Sequence, residues 1–365
     1  MRAQSAIIIA LCFYILCASA SAGSNAVPRY AHVFVIMEEN KGYAQIMHGP
    51  DAPNLQRLAK TYGVATRFYA EVHPSEPNYV ALVGGDTFGI HDDDAFYCTA
   101  GSKDKYCEKA AESGYVNHTI NAPNLGSQLE RAGLNWKGYY ESIPSPGSKA
   151  VVAGDPKLGK AAAHWELYAS KHSAFMNYAS VQNSAERARH IVGFDRLNVD
   201  LSSGHVPAFA LVVPNQCNEM HGLDPADYSK SVAAAIPEDC NHDNVAGLIR
   251  RGDAYVAKLV TLFQHSPAWN SRGNTAIVIT FDEGSGDSRE GCCGVDPNSA
   301  ANYGGGHIPT IVITNHGPRG KVDATPYSHY SLLRTLEDAF GIHQYLRHAG
   351  DTSQGVQSMT PLFNK

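Results

Sequence analysis

Five short clusters hold most of the side chains in this chain with chemistry to offer. They are Glu38-Glu39-Asn40, His73-Pro74-Ser75-Glu76-Pro77-Asn78, Asn215-Gln216-Cys217-Asn218-Glu219-Met220-His221, Asp282-Glu283 and Gly304-Gly305-Gly306-His307. Carboxylate and amide oxygens are ligands for hard divalent cations. Glu39, Asn40, Asp282 and Glu283 together carry enough negative charge to hold one. Ser75 stands between two prolines, which stiffen a turn and suit the start of a helix. A serine hydroxyl is a poor nucleophile until a base or a metal lowers its pKa. A cation in this cradle would do so. Helix N-termini also present N–H groups to anions such as phosphate. Each cluster alone has a plainer reading. A carboxylate after a strand is often a helix cap, a lone histidine is usually structural, and Ser75 could be a simple N-cap. The joint pattern points to one site.

That site needs a scaffold that brings distant segments to one edge. His32 to Met37 is a continuous apolar run, as expected of a strand buried on both faces of a parallel sheet. Thr275 to Phe281 repeats the design and leads into Asp282-Glu283. Further strands are expected at Thr66–Ala70, Trp136–Tyr140, Phe209–Val213 and Pro309–Thr314. Helices are expected at Asp51–Tyr62, Pro77–Val83, Leu125–Ala132, Asp243–Gln264 and Ser328–Phe340. In the long helix Leu248, Tyr255, Leu259 and Leu262 or Phe263 face inward. Alternating β and α with apolar strands predicts an α/β fold, a mostly parallel central sheet flanked by helices. Ligands in such sheets sit beyond the carboxyl ends of the strands. Two stretches, about 92–116 and 142–201, break the rhythm and read as a cap of long insertions. Within them Asp92-Asp93-Asp94 reads as a solvated loop rather than a calcium site. Tyr139, Tyr140 and Trp165 fit either a substrate groove or core packing.

The chain has 365 residues, 44% of them apolar and 18% charged, with a formal net charge of −6. It can bury a large core, and it has no basic stripe of the kind nucleic acid requires. Residues 1–22 read as a signal peptide: Arg2, an apolar stretch from Ile7 to Cys17 too short to span a bilayer, and a small-residue site at Ala20-Ser21-Ala22. Residues 23–365 then form a single catalytic domain, secreted or periplasmic, with no transmembrane segment after cleavage. Six of the eight cysteines remain in it. An even count in an exported chain reads as disulfides. Cys98 with Cys107 and Cys217 with Cys240 are the simplest pairs; Cys292 and Cys293 either bridge each other or pair crosswise.

The motifs together resemble a known family. Glu39-Asn40 after the first strand, His-Pro-Ser-Glu-Pro-Asn-Tyr at 73–79, Pro-Asn-x-x-Asn-x-Met-His at 214–221, Phe-Asp-Glu at 281–283, Gly-Gly-His-Ile-Pro at 305–309 and the stretch 328–338 occur in family order. The family is that of phosphoesterases containing bacterial acid phosphatases and phosphatidylcholine-hydrolysing phospholipases C, within the alkaline-phosphatase-like superfamily. The chain looks most similar to the short secreted acid phosphatases and phosphatidylinositol-3-phosphate phosphatases.

The resemblance implies an alkaline-phosphatase-like fold and a set of roles. Glu39, Asn40, Asp282 and Glu283 would hold one divalent metal ion (Ca, Mg, Mn or Zn). Ser75 would be nucleophile and metal ligand. His221 and His307 would bind phosphoryl oxygens or protonate the leaving group. His73, Asn78 and Asn218 would contact substrate. Glu38 competes with Glu39, but the motif places the ligand directly before the asparagine. Asn215 and Asn218 stand where a second metal would need an aspartate, so a single metal is expected. The implied function is a secreted, metal-dependent phosphomonoesterase acting through a phosphoserine. Its partners would be phosphate esters, with phosphoinositides and phospholipid head groups among the candidates. A phospholipase C is the alternative, disfavoured because long C-terminal extensions are lacking. A non-catalytic surface-binding protein would have lost the nucleophile or a ligand, and both are present. A serine-hydrolase elbow is disfavoured because no G-x-S-x-G occurs.

Overall fold

The computed structural model of the chain describes residues 26–93, 117–286, 288–294 and 304–365. The signal-peptide reading, Cys98, Cys107 and nearly all of the 92–116 insertion lie outside them. The sheet strands are β1 (His32–Glu38), β2 (Gly63–Tyr69), β3 (Trp136–Tyr140), β4 (Ile191–Val192), β5 (Phe209–Val213), β6 (Thr275–Phe281), β7 (His307–Thr314), β8 (Lys321–Asp323) and β9 (Tyr327–Ser328). Their order is β8-β2-β7-β6-β1-β5-β3-β4, with β9 also on β2. β1 is central. It pairs in parallel with β5 on one side and β6 on the other, Val35 facing Leu211 and Val278. Helices therefore cover both faces, and Val35, Ile36, Val278 and Leu211 are wholly buried. This is the mostly parallel α/β sheet that the apolar runs predict.

Within this sheet only β7 runs antiparallel to its neighbours among the described strands. The reversal matters for the site. The start of β7, not its end, lies at the carboxyl edge, where His307 sits opposite Tyr69 at the end of β2.

Helices of seven residues or more are α1 (Pro53–Thr61), α2 (Ser75–Gly84), α3 (Leu125–Arg131), α4 (Phe194–Ser203), α5 (Val245–Gln264) and α6 (His329–Ala339). α2 begins two residues earlier than the sequence predicts. Pro74 is its N-cap, and Pro77 falls in the first turn, where a missing N–H costs nothing. Ser75 is thus inside the helix and not its cap. β2 starts at Gly63, three residues early. A Cβ there would meet Val312 O at 3.3 Å, so the bare glycine lets β2 close on β7. On α5 the inward residue is Phe263, stacked on Phe34 at 4.5 Å, while Leu262 is exposed.

Residues 142–201 are not simply a layer over the sheet. They supply edge strand β4 and helix α4, and Phe175, Met176 and Tyr178 are fully buried in the main core. Phe175 packs on Trp136 with ring centroids 4.1 Å apart. The apolar residues come in short 3-10 turns, so no helical or strand period announces them. Tyr139 and Tyr140 are core residues, and Trp165 packs with Leu167 and Leu223 in a smaller cluster beside Cys217–Cys240. That pair is bridged, and Cys292 bridges Cys293.

Glu337 on α6 is buried, and burial, opposed by its bond with Gln128, pushes its carboxyl up to about 8. Among the described residues its Oε2 and Gln128 Oε1 both lack a donor, as two acceptors do when a carboxyl proton belongs between them. A raised carboxyl pKa favours folding fully below the unfolded value and loses that contribution as pH rises toward 8. The loss is on the order of 3 kcal/mol. Glu337→Gln should therefore gain melting temperature over the wild type as pH is raised from about 5 to about 8. A difference in melting temperature that does not vary with pH would refute the assignment.

Candidate active site

The ends of β1 and β6 and the start of α2 meet at the carboxyl edge. Successive residues of a strand point to opposite faces, and this separates Glu38 from Glu39. Glu38 is buried, near Glu141 and Asp253, with no partner for either oxygen among the described residues. Glu39 turns toward Ser75. Asn40 then adopts the left-handed region, φ 54°, which asparagine tolerates better than most residues. The turn aims its N–H at Asp282 Oδ1, 2.9 Å away, and fastens β1 to β6.

Ser75 Oγ lies 3.2 Å from Glu39 Oε2 and 3.4 Å from Asn40 Oδ1. The Asn40 amide oxygen also lies 3.2 Å from Asp282 Oδ2, 3.3 Å from Glu39 Oε2 and 3.1 Å from Glu283 Oε1. Turned over, the same amide would donate to those oxygens. Converging acceptors repel one another unless a donor or a cation lies among them. Oxygen ligands at right angles around a cation sit about 3.0 Å apart for ligand distances near about 2.1 Å, and about 3.4 Å apart near about 2.4 Å. The donor set and its spacings therefore fit one hard divalent ion.

The electrostatics agree. Burial, then the charge of Asp282, raises Glu39 well above the carboxylate range. Burial also raises Asp282, and pushes Glu283 up to about 7. Acids so destabilised as anions mark a place built for positive charge. Tyr79 Oη donates to Glu39 Oε1 at 2.5 Å and holds the carboxylate in place.

The histidines and amides predicted for the site divide into two groups. His221 faces a cavity of about 350 Å³ that Asp93 and Lys171 also line. Its Nδ1 donates to Gly222 O at 2.9 Å, which leaves the Nε2 lone pair toward Lys171 Nζ at 3.5 Å. Burial and then Lys171 lower its pKa to about 3, so the ring is neutral. His73 holds Glu283 instead: Nδ1 is 2.7 Å from Glu283 Oε2 and Nε2 is 2.8 Å from Ser288 O. Asn78 is spent on the backbone. Its Oδ1 accepts from the N–H groups of Glu71 and Val72, and its Nδ2 donates to Val72 O and Pro74 O. It shapes the turn that presents Ser75. Asn218 is bound to Glu141 and Arg251, and no described bond joins it to Ser75. His307 stacks on Tyr43 at 4.4 Å and bonds Thr66 O, at the same edge as Ser75.

Four further residues reach the site: Lys171 and His172 without a sequence signal, Asp93 from the acidic run read as a solvated loop, and His329 from the head of the last helix. Lys171 pairs with Asp93 at 2.8 Å, and Asp93 accepts the Glu76 N–H at 3.0 Å. Asp93 is thus tied to the first turn of α2 and is not a free solvated loop acid. It also takes an N–H that the helix start would otherwise offer to an anion. His172 lies between Glu39 (Nε2 to Oε1, 3.3 Å) and Glu219 (Nδ1 to Oε1, 2.9 Å). His329, at the head of α6, bonds Phe281 O at 2.9 Å and Glu71 at 2.5 Å, which steadies the strand end that carries Asp282.

The model of the Phosphoesterase family matches residues 47–343. The chain belongs to the phosphoesterase family. Phosphatidylinositol-3-phosphatase of Mycobacterium tuberculosis is 28% identical to this phosphoesterase over 319 residues, 87% of this chain and 80% of that protein. A probable acid phosphatase of Kluyveromyces lactis is 25% identical over 327 residues, 89% of this chain. The phosphoesterase spans 61% of that yeast protein's length. Among solved structures, the lipoteichoic acid synthase LtaP from Listeria monocytogenes shares the fold, with a TM-score of 0.51 at 10% identity over 93% of this chain and 77% of that one.

Proposed function

We propose that this phosphoesterase is a divalent-metal-dependent phosphomonoesterase of the acid phosphatase kind, exported from the cell, that turns over through a phosphoserine at Ser75. The observation that carries the reading is the convergence of Ser75 Oγ with the oxygens of Glu39 and Asn40, themselves packed against Asp282 and Glu283. Glu39, Asn40, Asp282 and Glu283 would hold the ion, with Ser75 beside it. When bound, a divalent cation there supplies Lewis acidity, favouring the ionised hydroxyl and polarising a phosphoryl oxygen.

The chain's own residues do the rest. Ser75 Oγ attacks phosphorus in line, the bond to the leaving alkoxide breaks, and that oxygen takes up a proton. Water then attacks the phosphoserine, the Ser75 Oγ–phosphorus bond breaks, phosphate leaves, and the proton lost by the water returns to Ser75 Oγ. His73 holds Glu283 in place, Tyr79 orients Glu39, and Asn78 fixes the turn before the nucleophile. The names of the mycobacterial and yeast relatives support phosphate ester substrates, phosphoinositides among them. No described helix is long and apolar enough to cross a membrane.

The test is a substrate panel: p-nitrophenyl phosphate, its phosphorylcholine diester and phosphatidylinositol 3-phosphate, each with and without a chelator. Monoester hydrolysis that stops on chelation and returns with added divalent metal is expected. Hydrolysis of the diester alone would replace this reading with a phospholipase C. Activity on none would favour a binding protein.

A further inference from the structure

We infer that the Lys171 ammonium supplies the second positive charge of the active site, in the place where Glu39, His172 and His221 would otherwise hold a second divalent cation. The inference rests on the phosphoesterase reading above, and its test separates the two.

The three donors taken alone fit a metal. One ligand atom from each of Glu39, His172 and His221 lies within 4.8 Å of the others. Glu219 sits 2.9 Å from His172 Nδ1, as an outer carboxylate does when it orients a ligating imidazole. His172 Nε2 has no hydrogen-bond partner among the described residues, and it lies 3.3 Å from Glu39 Oε1. The His221 Nε2 lone pair points the same way, since its Nδ1 is committed to Gly222 O.

Lys171 spoils that fit. Its Nζ is 3.5 Å from His221 Nε2 and is anchored by Asp93 at 2.8 Å. A dication and an ammonium sharing one histidine nitrogen as neighbour repel strongly in a partly buried site. Asp93 is itself held by the Glu76 N–H beside Ser75, so the ammonium is fixed relative to the nucleophile. An ammonium has three donors. Among the described residues Asp93 and His221 take two, and the side chain is 20% exposed where it lines the cavity. The third donor is left for a phosphoryl oxygen. The single cation of the Ser75 cradle and Lys171 would then flank the phosphoryl group from two sides. A monoester dianion needs this second charge more than a diester monoanion does.

The experiment counts bound metal in the intact mature protein equilibrated with Mn²⁺, for the wild type, Lys171→Ala and Lys171→Ala/His172→Ala. One equivalent is expected for the wild type, two for Lys171→Ala and one again for the double variant. Lys171→Ala should also lose about 10²–10³-fold in kcat/KM on p-nitrophenyl phosphate, in the range measured for removing one preorganised donor. Lys171→Arg should keep one equivalent and recover part of that loss. Two equivalents in the wild type, or no gain in Lys171→Ala, would overturn the inference. If Lys171→Ala does not fold, the wild-type count and Lys171→Arg still decide it. A wild type inactive on every phosphate ester would defeat the functional reading while leaving the metal count to judge Lys171.

Discussion

Ser75→Ala should lower turnover of a phosphomonoester by on the order of 10⁴–10⁶-fold, the range seen when a serine nucleophile is removed from other hydrolases. The fold should survive. The hydroxyl caps nothing; its contacts are Glu39, Asn40 and Asp282, all within the oxygen cradle, and alanine suits a first helical turn. The expected stability change is within about 1 kcal/mol, the net worth of one hydrogen bond. Initial rates and a thermal melt on the same preparation measure both. Acid quenching of the wild type with labelled substrate should trap phosphate on the peptide carrying Ser75, and the variant should trap none. A variant with most of its activity intact would remove Ser75 from the mechanism.

Asp282→Asn should have the second-largest effect and should act through metal. In the wild type without metal, Asp282 and Glu39 are buried acids whose pKa values are raised, chiefly by burial. Raised carboxyl values destabilise the metal-free fold increasingly as pH climbs from the unfolded value. A bound cation reverses this, and at about 100 times its Kd it adds about 2.7 kcal/mol of stability. The substitution keeps an oxygen to accept the Asn40 N–H but removes a charge. The metal-free variant should therefore melt at or above the metal-free wild type near neutral pH. It should also lose most of the metal-induced rise in melting temperature, and its activity with it. Melting curves with and without Mn²⁺ or Ca²⁺ test this; a metal-induced shift equal to the wild type's would show that Asp282 is not a ligand.

The site was legible in the sequence where its chemistry is local to a strand end. Glu39-Asn40 and Asp282-Glu283 follow continuous apolar runs, and such runs have one common explanation, a strand covered on both faces. Their place at the carboxyl edge then follows from the fold class. Ser75 was legible because its flanking prolines mark a helix start. Roles were harder than positions. Asn78 and His73 carry the polarity expected of substrate contacts, yet their side chains are used within the turn and against Glu283. An amide's partners depend on which backbone groups pass within reach, and spacing does not reveal that.

Lys171 and His172 had no signal at all, and Asp93 had only that of a solvated loop acid. They lie in stretches without helical or strand period, held by short turns and by the burial of Phe175, Met176 and Tyr178. The sequence by itself determined the parallel sheet, the buried strands and the acids at their ends, because periodicity and burial are properties of neighbouring residues. Only the tertiary structure decided where the antiparallel β7 delivers His307, that Asn78 and His73 serve the turn and Glu283, and that an ammonium stands beside His221. These depend on the packing of segments more than a hundred residues apart in some cases, Asn40 and Asp282 being separated by 242 positions.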